Sequence, residues 1–145
     1  MLMSDVSTAR IVVGVDGSAE SIAALRFGRS LADSLGHGLE AVAAWSYPAS
    51  MGEFFPTDWD PAADAESFLA EAIDEAYGSD RPAGLTTKVM QGTPAQVLIE
   101  ESKGAAMIVV GSRGHGGFMG MVLGSVSAAV AAHAKCPVVI HHGDD

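Results

Sequence analysis

MIVVGSRGHGGFMGMVLGSVS, residues 107–127, decides how the rest of the chain is read. Its first four residues are a continuous apolar run, as in a strand covered on both faces. Glycines follow at 111, 114, 116, 117, 120 and 124, with Ser125 and Ser127 just beyond the last of them. The alanine-rich segment SAAVAAHA, residues 127–134, then reads as a helix. A strand, a glycine-rich loop and a helix N-terminus in that order make an anion-binding device. Glycines let backbone N–H groups approach a ligand closely, and the first-turn amides and helix dipole favour negative charge.

Outward from this stretch, strand and helix signals alternate along the whole chain. IVVGV, residues 11–15, is a short β-branched run. Ser18 can cap a helix continuing to about Leu35, with Ala24, Phe27, Gly28, Leu31 and Leu35 expected on its buried face. Gly36 and Gly38 end it, and Leu39 to Trp45 reads as the second strand. Residues 46–60 carry two prolines, a glycine and aromatics, and read as a long loop. Asp60-Pro61 supplies an N-cap and a first-turn proline for a helix through Tyr77, stopped by Gly78. Its apolar face is Ala65, Phe68, Leu69, Ala72, Ile73 and Ala76.

Leu85 to Met90 is the third strand, and Thr93-Pro94-Ala95-Gln96 fits a capping box for a helix ending near Lys103. Met107 to Val110 is the fourth strand, Ser125 to about Ala134 a helix, and Pro137 to Ile140 the fifth strand. The pattern predicts an α/β fold, an open doubly wound five-stranded parallel sheet with helices on both faces. No linker or internal repeat divides it, so residues 1–145 read as one domain.

Composition narrows the function classes. Hydrophobic residues make up 48% of the chain, yet no apolar run approaches the ~18 residues of a membrane span. The opening MLMSDVSTAR has neither a basic nor an apolar signal region, and a single cysteine, Cys136, suits a reducing compartment. These features lead us to expect a cytoplasmic protein. A net charge of −10 argues against binding a nucleic-acid backbone. Nine acidic residues between Glu53 and Asp80, with no Lys or Arg from 30 to 80, read as a solvated face.

In doubly wound sheets ligands bind at the carboxyl ends of strands where the winding reverses. Two segments carry suitable chemistry to meet there: the glycine loop, and Gly14-Val15-Asp16-Gly17-Ser18 after the first strand. Asp16 would present a carboxylate able to accept a hydrogen bond from a base or ribose; alternatively it only forms the turn. Arg113 could pair with phosphate or be a solvated loop charge.

The spacing Gly111-x2-Gly114-x9-Gly124-Ser125 resembles the ATP-binding motif of the universal stress protein family. The resemblance extends over nearly the entire chain, through VVGVDGS (12–18), IVVGSRGHGG (108–117), LGSVS (123–127) and CPVVI (136–140). It implies one universal stress protein domain of the adenine nucleotide alpha hydrolase-like fold, serving as an ATP-binding stress-response regulator. By this resemblance Asp16 would face the adenosine, and the backbone near Ala44 would meet the adenine edge. Gly111, Arg113 and Gly114 would line the ribose and phosphate approach, and Gly124, Ser125, Val126 and Ser127 would hold the phosphates. The implied ligand is ATP, with or without Mg, and the implied assembly is a homodimer through the final strand. Ala106 departs from the family pattern, in which an acidic residue often precedes the fourth strand.

No G-x-x-x-x-G-K-[ST] places a lysine over a γ-phosphate, and strand one continues as Gly14-x-Asp16 rather than G-x-G-x-x-G. His115-Gly116-Gly117 matches lipase oxyanion loops in three residues only, without a G-x-S-x-G nucleophile. No catalytic or metal-ligating set is expected. Three classes stay open from sequence: a nucleotide holder with little or slow turnover, a slow ATPase or phosphotransferase, and a dimerisation module with a purely structural loop. The complete glycine-serine motif favours the first.

Overall fold

Ile11, Val12 and Val13 are all fully buried although they are consecutive, so the first strand has protein against both faces. The computed structural model describes residues 9–47, 59–113 and 124–143. Five strands, β1 (Arg10–Gly14), β2 (Gly38–Trp45), β3 (Leu85–Gln91), β4 (Met107–Gly111) and β5 (Val138–His141), form one sheet. Every neighbouring pair is parallel, and the order is β3-β2-β1-β4-β5. The chain therefore winds outward from β1 to one edge, crosses back, and winds from β4 to the other. Between β1 and β4 lies the point where the direction reverses.

The described helices are α1 (Ala19–Leu35), α2 (Pro61–Tyr77), α3 (Pro94–Glu101) and α4 (Ser125–His133). Side chains alternate across the sheet and build two cores. Ile11, Val13, Ala41 and Val109 pack with α1 and α2 residues such as Leu25 and Ile73. Val12, Val42, Ile108 and Val110 face the other way, against Val97, Leu98 and Val130 of α3 and α4. This is the open doubly wound sheet with covered faces that the strand and helix pattern predicts.

Local signals place the elements well. Asp60 caps α2 through Ala63 N at 3.1 Å, and both hydrogen bonds of the Thr93–Gln96 capping box form on α3. α3 stops at Glu101, short of the expected Lys103, because its carbonyls are taken up by tighter turns. Lys103 N donates to Glu100 O and Gly104 N to Glu101 O, three residues back rather than four.

The buried face of α1 differs from expectation. Ser21, Ala24, Leu25, Gly28 and Ala32 form its seam, whereas Phe27 and Leu35 are 36% and 50% exposed. The helix is rolled toward its small residues because it lies close on β1: a β-carbon on Gly28 would sit 2.7 Å from Val13 Cγ2. Phe27 then faces the rim, where its ring meets His141 of β5 at 4.9 Å between centroids. Most of the loop expected over 46–60 lies outside the described residues.

At the N-terminal ends of the strands Arg10 ties three elements together. Its Nε donates to Glu40 Oε1 at 2.8 Å, Nη2 to Glu101 Oε1 at 3.0 Å, and Nη1 to Gly104 O at 2.8 Å. Lys88 Nζ adds a second cation to Glu101 at 3.1 Å. The two glutamates are only 10% and 8% exposed, so paired charge there is a requirement of burial. This network lies at the opposite end of the sheet from the cleft described next.

Candidate functional site

Where β1 ends, Asp16 Oδ1 accepts the Ser18 amide at 2.9 Å, and Ser18 Oγ in turn caps Ser21 N at 3.2 Å. Gly17 adopts φ +85° between them. The turn expected of Asp16 is thus formed, and the same residue also lines a cavity of about 230 Å³. That cavity opens at the C-terminal ends of β1, β2 and β4, at the reversal of winding where such folds hold ligands.

Where β4 ends, Ser112 is 2% exposed and every polar group it carries is engaged. Its N–H donates to His141 O at 2.8 Å, and its hydroxyl to Glu20 Oε1 at 3.2 Å. Its carbonyl accepts Gly124 N at 2.6 Å and the Ser127 hydroxyl at 3.0 Å. The strand end and the start of α4 are pinned together through one residue. Gly111 must be small for this: a β-carbon would lie 2.8 Å from Glu20 Cβ and 3.1 Å from its backbone C and O.

α1, α2 and α3 each begin with a side-chain cap, whereas α4 begins at Gly124 with none. Gly124 N is taken by Ser112, which leaves the amides of Ser125, Val126 and Ser127 without a partner among the described residues. All four of these residues line the cavity, as do Gly111 and Arg113. A helix N-terminus open toward a cavity offers donors and a positive dipole end to an anion.

Of the residues singled out from sequence, Asp16, Ala44, Gly111, Arg113, Gly124, Ser125, Val126 and Ser127 meet on this one cavity. Gly114 lies outside the described residues. The Ser127 side chain is turned away: its hydroxyl, 2% exposed with its residue, faces the carbonyls of Ser112 and Gly124. What Ser127 can offer a ligand is its amide. Arg113 is half-exposed and forms an ion pair with Glu20 at 3.6 Å.

Sequence reasoning missed the apolar wall. Val42, Phe68, Pro94, Val97, Leu98 and Val110 line the cavity, whereas the sequence marked Phe68 only as a core position and Pro94 only as part of a capping box. Periodicity cannot separate a side chain that fills a core from one that borders a hollow. Glu20 was missed too, since nothing local ties it to a loop 92 residues away. Cys136 stands apart from the cleft, half-buried beside Pro137 O, and burial pushes its thiol above the ordinary value. Both features fit an inert thiol.

Comparison with known proteins agrees with this architecture. The model of the universal stress protein family matches residues 8–142. Universal stress protein Rv2623 of Mycobacterium tuberculosis is 38% identical over 137 residues, covering 91% of this chain and 44% of the relative. Universal stress protein Rv2005c of the same species is 34% identical over 148 residues, covering 93% and 48%. The chain spans about half the length of these curated relatives. Among solved structures, a universal stress protein in complex with cAMP superimposes with a TM-score of 0.72 at 27% identity, over 95% of this chain and 99% of that one. From the match over nearly its whole length, the chain belongs to the universal stress protein family.

Proposed function

We propose that this chain is an ATP-binding member of the family, a single-domain regulator that holds an adenine nucleotide with little or slow turnover. The observation that carries the reading is the open N-terminus of α4. Three amides there, without a partner among the described residues, belong to residues that line the same cavity as Asp16 and the apolar wall. A nucleotide suits that division of chemistry, with the base against Val42, Ala44 and Leu98, a sugar hydroxyl on Asp16, and phosphates at Ser125, Val126 and Ser127. The relative solved with cAMP supports an adenine nucleotide as the ligand class. The described lining supports slow turnover. It includes no lysine among the described residues, and Asp16 spends one oxygen on the Ser18 amide. Mg would meet the phosphates rather than a protein-built cage.

We place the protein in the cytoplasm; among the described residues no helix is long and apolar enough to cross a membrane. We also propose that two copies pair through β5, the strand at one edge of the sheet. The test of the ligand is mass spectrometry of gently purified protein, followed by calorimetry with ATP, ADP, AMP and cAMP. An adenine nucleotide should co-purify, with ATP bound at least as tightly as the others. Absence of binding by all four at millimolar concentration overturns the reading, and preference for cAMP overturns its ATP half.

A further inference from the structure

Glu20 stands in the first turn of α1, and the close approach of that turn to Gly111 holds it beside the end of β4. One carboxylate oxygen accepts the Ser112 hydroxyl at 3.2 Å, and the other faces Arg113 Nη2 at 3.6 Å. Arg113 lines the cavity, whereas Glu20 is not among the described residues that line it. Arg113 is also the one basic side chain among the described residues of the cavity lining. Paired with Glu20, it leaves the described residues at the end of β4 and the start of α4 with no net side-chain charge.

Resting on the nucleotide reading above, we propose that Glu20 is a specificity-determining residue that cancels the Arg113 charge. The site then grips phosphate through neutral amides and discriminates weakly between mono-, di- and triphosphates. The physical reason is Coulombic. An uncompensated guanidinium would attract each added phosphate charge, whereas a neutral pair gives the second and third phosphates little extra attraction. Hydrogen bonds from the α4 amides reach only the phosphate seated on them.

The test is Glu20→Gln, which keeps an acceptor for the Ser112 hydroxyl and removes the charge. Calorimetry with ATP, AMP and adenosine should show the ATP-to-AMP affinity ratio rising about threefold, the scale of a partly exposed ion pair, with adenosine unchanged. Glu20→Asp, which retains the charge, should keep the wild-type ratio, and Arg113→Gln should lower it. The wild-type ratio should also vary little between 50 mM and 500 mM salt, while that of Glu20→Gln falls as salt screens the exposed guanidinium. An unaltered ratio in Glu20→Gln, or an equal change for adenosine, overturns this proposal alone. A wild-type ratio that collapses with salt does the same. Failure of the wild type to bind any of the three overturns the nucleotide reading and this proposal with it.

Discussion

Asp16 accepts the Ser18 amide and also lines the cavity, and the turn can be separated from the proposed ligand contact. Asp16→Ala removes the acceptor for the Ser18 amide together with the group facing the cavity. It should therefore lower thermal stability and weaken binding of ATP and ADP alike by about 1–3 kcal/mol, the range for hydrogen bonds to a charged group. Asp16→Asn keeps an oxygen for Ser18, so stability should return while affinity recovers only in part. Parallel melting curves and calorimetry read the two effects. Wild-type affinity in Asp16→Ala would reduce the residue to a turn former. Ser127 shows the opposite division, because its hydroxyl belongs to the Ser112 clamp and only its backbone belongs to the cavity.

At the level of elements, α1 and α2 are joined through Tyr77, whose hydroxyl donates to Leu25 O at 2.6 Å. Burial pushes the phenol up to about 12, against a weaker downward pull from Arg29 and Arg26. Since the folded value lies above the ordinary 10, the unfolded chain ionises first as pH rises. The stabilising contribution is thus intact below pH 10 and is lost progressively from there through pH 12. Tyr77→Phe should be about 1 kcal/mol less stable than wild type at neutral pH. The gap should close as urea titrations are taken from pH 9 to pH 12. A gap that stays constant over that range would mean the phenol ionises equally in both states. α4 begins on the cavity, and among the described helices it is the one without a side-chain cap. Helix propensity gives no sign of this, because Gly124 tolerates the N-cap role as serine would.

For the molecule as a whole, β5 stands at one edge of the sheet. Pro137 O and His141 O accept amides of Ile108 and Ser112 from β4. Backbone groups alternate along a parallel strand, so Val139 also faces β4 while Val138 and Ile140 turn their N–H and C=O to the open side. A sheet edge of β-branched residues, next to no further strand among the described residues, invites pairing, and a two-fold axis satisfies both copies at once. Sedimentation should find the wild type dimeric at micromolar concentration. Ile140→Pro removes an outward donor, at a position where edge strands tolerate proline, and should give folded monomers by sedimentation and circular dichroism. Val139→Pro, by contrast, should damage the sheet itself. A monomeric wild type would show that β5 is not the dimer edge.

The succession of elements was legible along the chain because its signals are local. Continuous apolar runs marked strands buried on both faces, Asp60-Pro61 and Thr93–Gln96 marked helix starts, and the glycines after Val110 marked a loop that ends on a helix N-terminus. Tertiary structure alone decided which residues meet across that frame. β4 lies against β1, and this brings Glu20 to Ser112 and Arg113 and joins Asp16 to the start of α4 around one cavity. It also rolled α1 onto Gly28, exposing Phe27, and set Phe68 and Leu98 along the cavity while they still pack on the cores. Backbone preference and periodicity act over a few residues, whereas a hollow, an ion pair or a helix roll depends on volumes and charges brought together from distant parts of the chain.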